Sequence, residues 1–234
     1  MSTFRSDESG GTLKQSLGQE DCSISEILRQ RGVSRRDFLK FCSTVTAAMA
    51  LPASFAPRVA QALDEVKRPT LVWLEFQDCA GDTEALLRSA NPTVAEIILD
   101  ILSVDYHETI MAAAGHQAEA ALEKTIADHK GKYICVVEGS IPMKDGGVYG
   151  CVGGKSHLDR ARQVCGSAAA TIAVGTCASY GGIPAAVPNP TGAVGVMEAV
   201  PGVTVINLPG CPVNADNLTA TIVHYLVFGK IPAL

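Results

Sequence analysis

Apolar residues in this chain fall into five short runs, each closed by turn residues and separated from the next by a segment of helical period. Thr70 to Phe76 reads as a first strand and Leu102 to Tyr106 as a second. Tyr133 to Val137 is apolar throughout, as expected of a strand buried on both faces. Ala170 to Val174 and Val203 to Leu208 complete the set. Helical signals alternate with these runs. One starts at Thr83 to Leu87, and another covers Thr93 to Ile101 after the Asn91-Pro92 break, where Pro92 suits a helix start. Gly115 to His129 places Ala118, Ala121, Leu122, Thr125 and Ile126 on one stripe. Lys155 to Val164 and Ala215 to Val227 are also helical in period. Strand and helix in alternation predict an α/β fold, a flavodoxin-like doubly wound parallel sheet.

The pattern before Lys67 is different. Ser34-Arg35-Arg36-Asp37-Phe38-Leu39-Lys40 is a twin-arginine signature, followed by a modestly apolar stretch from Phe41 to Leu51 that is too short to span a bilayer. Ala60-Gln61-Ala62 offers a small-residue cleavage site, so residues 1–62 read as a cleavable export leader and 63–234 as the folded domain. The competing reading is an ordinary amphipathic helix behind a basic start. Export of folded cargo suits a cofactor inserted in the reducing cytoplasm. Cys22 and Cys42 lie in the leader and are set aside.

The chain has 234 residues, 47% of them hydrophobic and 18% charged, enough for one globular domain with an appendage. A net charge of -5 argues against a nucleic-acid partner, which needs a clustered basic face. Six Phe, one Trp and five Tyr leave little for base stacking.

Six cysteines follow the leader. Cys135 is mid-strand and Cys165 ends a helix, and both read as small buried hydrophobes. Cys79, Cys177 and Cys211 each lie just past a strand in a glycine-bearing loop. In an open parallel sheet such loops share the carboxyl edge, where ligands bind. Three thiols distant in sequence can therefore converge there, as an iron–sulfur cluster requires. Disulfides are the rival for an exported protein.

Several longer motifs carry a resemblance: Asp78-Cys79-Ala80-Gly81-Asp82-Thr83-Glu84, Asp105 to His116, Glu138-Gly139-Ser140-Ile141-Pro142, Gly175 to Gly182, Pro188 to Gly192 and Pro209-Gly210-Cys211-Pro212. Together they resemble the small subunit of membrane-associated, uptake-type nickel–iron hydrogenases, from about Lys67 to Leu234. The resemblance implies a proximal 4Fe-4S cluster, a catalytic nickel–iron centre on a separate large subunit, and a membrane cytochrome or other redox acceptor on the periplasmic side. It implies ligands at Cys79, position 82, Cys177 and Cys211. It also implies medial and distal clusters in a C-terminal region; the chain reads as a longer sequence cut at Leu234. Gly81 and Gly182 stand where the six-cysteine form of the proximal cluster has cysteines, so a conventional cube is expected.

Position 82 departs from the pattern: it is Asp82, not cysteine. A carboxylate there keeps the spacing but is a harder ligand. Cys151, in the glycine loop Tyr149 to Gly154 after the third strand, is the alternative, and Asp82 as a plain helix N-cap is the structural option. Glu138 follows an apolar strand and is the best proton-relay candidate among Glu75, Asp78, Glu84, Glu108 and Glu138. His107, His116 and His224 read as hydrogen-bonding rather than metal-binding. Two other functions compete. One is a complex I-type cluster subunit in quinone reduction, though Asp78-Cys79-Ala80 lacks that group's adjacent paired cysteines. The other is a cluster-free exported binding module with disulfides.

Overall fold

Alternation with period 2 sends the side chains of each strand to opposite faces, and both faces of this sheet are covered. The computed structural model describes residues 23–30, 32–65, 68–90 and 92–232. Cys22 and Asn91 therefore lie outside the described residues. Along the chain come helices α1 (Ile24–Gln30), α2 (Arg35–Ala48) and α3 (Ala56–Glu65), then strand β1 (Thr70–Glu75), α4 (Gly81–Leu87) and α5 (Val94–Glu96). They are followed by β2 (Ser103–His107), α6 (His116–Asp128), β3 (Ile134–Glu138), β4 (Ile141–Pro142), β5 (Cys151–Val152), β6 (Lys155–Ser156) and α7 (His157–Cys165). The remainder is β7 (Ala170–Val174), α8 (Gly175–Tyr180), β8 (Ala193–Val194), α9 (Val196–Ala199), β9 (Val205–Leu208) and α10 (Ala215–Phe228).

The main sheet runs β2-β1-β3-β7-β9, every pair parallel. Counting its strands along the chain, the order is second, first, third, fourth, fifth, which is the flavodoxin order expected above. One register row reads Trp73, Val136, Ile172, Ile206. That row packs on one face with Leu71, Ile134 and Leu208, against α10. Val72, Leu74, Cys135, Val137 and Ala173 fill the other face with Leu122 of α6 and Leu158 and Val164 of α7. Burial of all five residues of β3 accounts for its unbroken apolar run.

Several expectations shift in detail. α4 begins at Gly81, two residues earlier than its apolar pattern suggests. Pro92 precedes the helix, and Thr93 is the N-cap, closing a capping box with Glu96. The helix then continues as a π-type turn over Ile97–Ile101. Lys155 and Ser156 belong to an antiparallel β5–β6 hairpin, and the Ser156 hydroxyl accepts from the Asp159 N–H at 3.1 Å to start α7.

The described part of the expected leader, 23–30 and 32–62, folds onto the domain. Ser34 caps α2, and Ile24, Leu28, Cys42, Val45, Val59 and Leu63 are buried in the same cluster as Leu71, Trp73 and Ile222. α3 runs through the expected cleavage point after Ala62. Among the described residues no helix is long and apolar enough to cross a membrane.

Candidate metal centre

Because β1, β7 and β9 are parallel, the loops after Glu75, Val174 and Leu208 leave the sheet at one edge. Cys79 lies in the first, Cys177 in α8 directly after the second, and Cys211 in the third. Hydrogen bonds tie these loops together. The Thr176 N–H and hydroxyl both donate to the Gly210 carbonyl, at 2.7 and 3.0 Å. The Val213 N–H donates to Asp82 Oδ1 at 2.6 Å. The Cys177 thiol is pushed above its ordinary pKa, first by burial; the Ile183 backbone opposes this, and the charges of Cys211, Cys79 and Asp82 add to it. Cys177 thus has all three other expected ligand positions as electrostatic neighbours. Cys79 and Cys211 are exposed, Cys177 is half-buried and Asp82 is buried.

Glycines let the backbone close on this rim. A Cβ on Gly175, whose φ is +76°, would lie 2.0 Å from Asp82 Oδ2, and one on Gly182 would lie 2.5 Å from Cys177 Sγ. Among the described residues no group of three His, Cys, Asp or Glu side chains could hold a single metal ion. In a cube each thiolate takes its own iron, so its ligands stand farther apart. Three thiols and a carboxylate beside glycine backbone are the chemistry an iron–sulfur cluster takes.

Asp82 is not the N-cap of α4. Ala80 occupies that position in a left-handed conformation with no side-chain cap, and Asp82 sits inside the first turn. The orphan N–H groups are taken instead by Glu138, from the end of β3. Asp82 N–H donates to Glu138 Oε1 at 2.9 Å, and Thr83 N–H to Oε2 at 3.0 Å. The Thr83 hydroxyl (2.6 Å) and the Trp73 indole N–H (3.2 Å) also donate to Oε2. Burial raises the pKa of both Asp82 and Glu138; the Val213 N–H opposes the shift at Asp82, and the Thr83 hydroxyl and Asp82 N–H oppose it at Glu138. A carboxylate at a helix N-terminus also meets the positive end of the helix dipole.

Cys151 follows β3 and lies outside the three loops joined above. It is exposed on the β5–β6 hairpin, opposite Ser156. The hairpin is held by Arg160, which donates to the Val152 carbonyl at 3.0 Å and to Glu119 at 2.6 Å. Gly150 packs on His157 and Gly153 on Glu119, so the glycines serve a tight turn over α6 and α7. Nothing in the sequence around Arg160, which is fully buried, announced this ion pair.

The remaining candidates are structural in surroundings. Cys135 and Cys165 are buried with sulfurs 3.8 Å apart, and no two of the described cysteines are bonded. His107 is buried, stacked on Trp73 at 5.0 Å, and burial pushes it down to about 4, so it is neutral. Its Nδ1 accepts the Thr109 N–H at 3.3 Å. His116 is exposed, and His224 Nδ1 lies 3.1 Å from the Lys230 carbonyl. Glu75 accepts from the Thr109 hydroxyl at 2.5 and 2.7 Å, while Glu84 is exposed beside Arg88. Beyond Cys177, Tyr180, Ile183 and Val187 form an exposed apolar run, Ile183 at 82% and Val187 at 97%.

The fold is that of a flavodoxin-like domain with three cysteines in loops at its carboxyl edge, and residues 79–225 match the family described as NADH ubiquinone oxidoreductase, 20 Kd subunit. The chain is 49% identical over 220 residues to the periplasmic [NiFe] hydrogenase small subunit 1 of Nitratidesulfovibrio vulgaris, covering 93% of this chain and 68% of that protein. It is 44% identical over 208 residues to the hydrogenase-2 small chain of Escherichia coli K12, covering 89% of this chain but 56% of that one. The crystal structure of a reduced, active Ni-Fe-Se hydrogenase from Desulfomicrobium baculatum superposes with a TM-score of 0.69 at 32% identity, covering 72% of this chain and 67% of its own. The chain belongs to the 20 Kd subunit family and, within it, to the nickel–iron hydrogenase small subunits. It spans little more than half the length of the E. coli relative.

Proposed function

We propose that this chain is the electron-transfer subunit of a periplasmic, membrane-associated nickel–iron hydrogenase. Cys79, Cys177 and Cys211 would hold the proximal 4Fe-4S cluster, with Asp82 as the fourth ligand. The observation that carries this reading is the placement of three loop cysteines and one buried carboxylate at a single sheet edge. The cluster, when bound, accepts electrons from hydrogen oxidation on the large subunit and passes them on. The chain's own part is positioning. Gly175 and Gly182 admit the cluster to the backbone, Thr176 and Gly210 fix two ligand loops, and Glu138 holds the turn that carries Asp82. The exposed run Tyr180, Ile183 and Val187 beside Cys177 suits the large subunit as partner, since it offers apolar surface next to the cluster.

Residues 1–62 act as a twin-arginine leader delivering the folded protein to the periplasmic side, where a membrane cytochrome or other acceptor receives the electrons. A proton path at the rim would draw on Glu138 and on Glu108, which burial pushes up to about 7. The four donors on Glu138 favour an anchoring role for it.

Iron and sulfide per chain, with spectra in both redox states, test the ligand set. Serine at Cys79, Cys177 or Cys211 should abolish the normal cluster, Asp82→Asn should alter its spectrum, and Cys151→Ser should leave it unchanged. Full cluster content in the three serine variants would end this reading. Nickel in the co-purified large subunit separates a hydrogenase from a complex I-type role.

A further inference from the structure

The expected cleavage sequence Ala60-Gln61-Ala62 lies within α3. Val59 and Leu63, on either side of it, have no exposed surface; they belong to the buried cluster that also holds Ile222 and Val223 of α10, against which α3 packs. Ala60 and Ala62, the small residues a leader peptidase reads, are half-buried, and only Gln61 between them is exposed. A protease binds its substrate extended, pairing its own main chain with the N–H and C=O groups of the peptide. In α3 those groups are spent on the helix itself. The scissile bond after Ala62 therefore has the wrong conformation and its flanking side chains point into the core.

The other leader signal is in the opposite state. Arg35 and Arg36 open α2 and are exposed. Beyond them the same helix turns Cys42 and Val45 into the core. The Ser25 hydroxyl donates to Asp64, tying α1 to α3.

We propose that the leader is a latch, docked on its own domain so that the arginine pair can be read while the cleavage bond is withheld. Cutting after Ala62 requires α3 to leave α10 and α2 and unwind. This rests on reading residues 1–62 as an export leader. The latch sets an order: recognition first, undocking second, cleavage last.

Purified leader peptidase is the test, acting on the full chain and on a synthetic peptide of residues 55–68. The peptide should be cut after Ala62, and the full chain at least about tenfold more slowly, because cleavage waits on local unfolding. Val45→Asp, well away from the bond, buries a charge at the docking face and should restore at least about tenfold of that rate. Hydrogen exchange needs no variant: amides 59–63 of the unaltered chain should be protected to the same degree that cleavage is slowed. Cleavage of the full chain as fast as the peptide, or free exchange at 59–63, overturns the latch. An uncut peptide instead removes the leader reading itself, and the latch with it.

Discussion

Replacing Glu138 by Gln separates an anchor from a proton carrier. Glu138 has no exposed surface and accepts four hydrogen bonds, one on Oε1 and three on Oε2. Three of the four donors are N–H groups that cannot accept, so a proton on Glu138 would have only the Thr83 hydroxyl to bond to; the site is built for the ionised form. Glutamine keeps the size and one acceptor. With its carbonyl oxygen in the Oε2 place it retains three bonds and points its NH2 at the Asp82 N–H. One buried donor left unpaired costs about 1–3 kcal/mol. The three retained bonds fall from charge-assisted to neutral, roughly 1 kcal/mol each. Against this, burial disfavours the charge on Glu138, and the variant sheds that penalty. The net loss is about 2–4 kcal/mol, a fall in Tm of roughly 5–15 °C for a domain of this size. Thermal and urea denaturation of the cluster-free chain near pH 7, followed by circular dichroism, reads it directly, because every bond concerned lies within the chain. A variant within about 0.5 kcal/mol of the parent would falsify the anchor and favour the relay, which predicts unchanged stability.

Gly175→Ala should lose iron uptake on reconstitution, since its Cβ would collide with Asp82 Oδ2 and its φ of +76° disfavours any side chain; iron per chain equal to the parent would contradict the cradle. Glu108→Gln should change how stability depends on pH. Burial, then the nearby charge of Glu75, moves Glu108 from 4.5 up to about 7, although the Glu75 backbone and Arg160 oppose the shift. The folded chain therefore keeps a proton between those values that the unfolded chain releases. Its contribution is fully present below about 4.5 and is lost as pH rises through about 7. Urea midpoints at pH 5 and pH 8 should differ less in the variant, by up to about 3 kcal/mol, and an unchanged difference counts against the burial of that carboxyl.

Much of the sheet was legible because its signals are local. Short apolar runs, closed by turn residues, place β1, β7 and β9 within two residues of their observed ends. Parallel pairing then puts Cys79, Cys177 and Cys211 at one edge without further information. What could not be read depends on contacts between distant segments. Glu138 caps a helix 55 and 56 residues away, and no local pattern marks a carboxylate as another element's cap. That is why Asp82, three residues past a cysteine and at a helix start, resembles its own cap. The glycines around Cys151 signal a bend but not what it packs on; that is set by Arg160 and Glu119, far along the chain. On α2 the apolar positions show that one side is buried, but not that α3 and α10 bury it.

The rim is braced by links that owe nothing to a cluster. Glu138 fixes the first turn of α4 to β3, Asp82 fixes that turn to Val213, and Gly210 fixes the same loop to Thr176. The three ligand loops are thus joined in series, from β1 through β9 to β7. Asp82 is the middle link, and this gives a physical reason for a carboxylate in place of a thiol. A thiolate is a weak hydrogen-bond acceptor and has a single ligating atom. A carboxylate has two oxygens, so Oδ1 can hold the Val213 N–H while Oδ2, beside the bare Cα of Gly175, stays available for metal. Cysteine at position 82 would supply a softer ligand but would surrender the tie between the first and third loops. On the proposed ligand set, Asp82 would exchange bond strength at one iron for the tie that braces the rim.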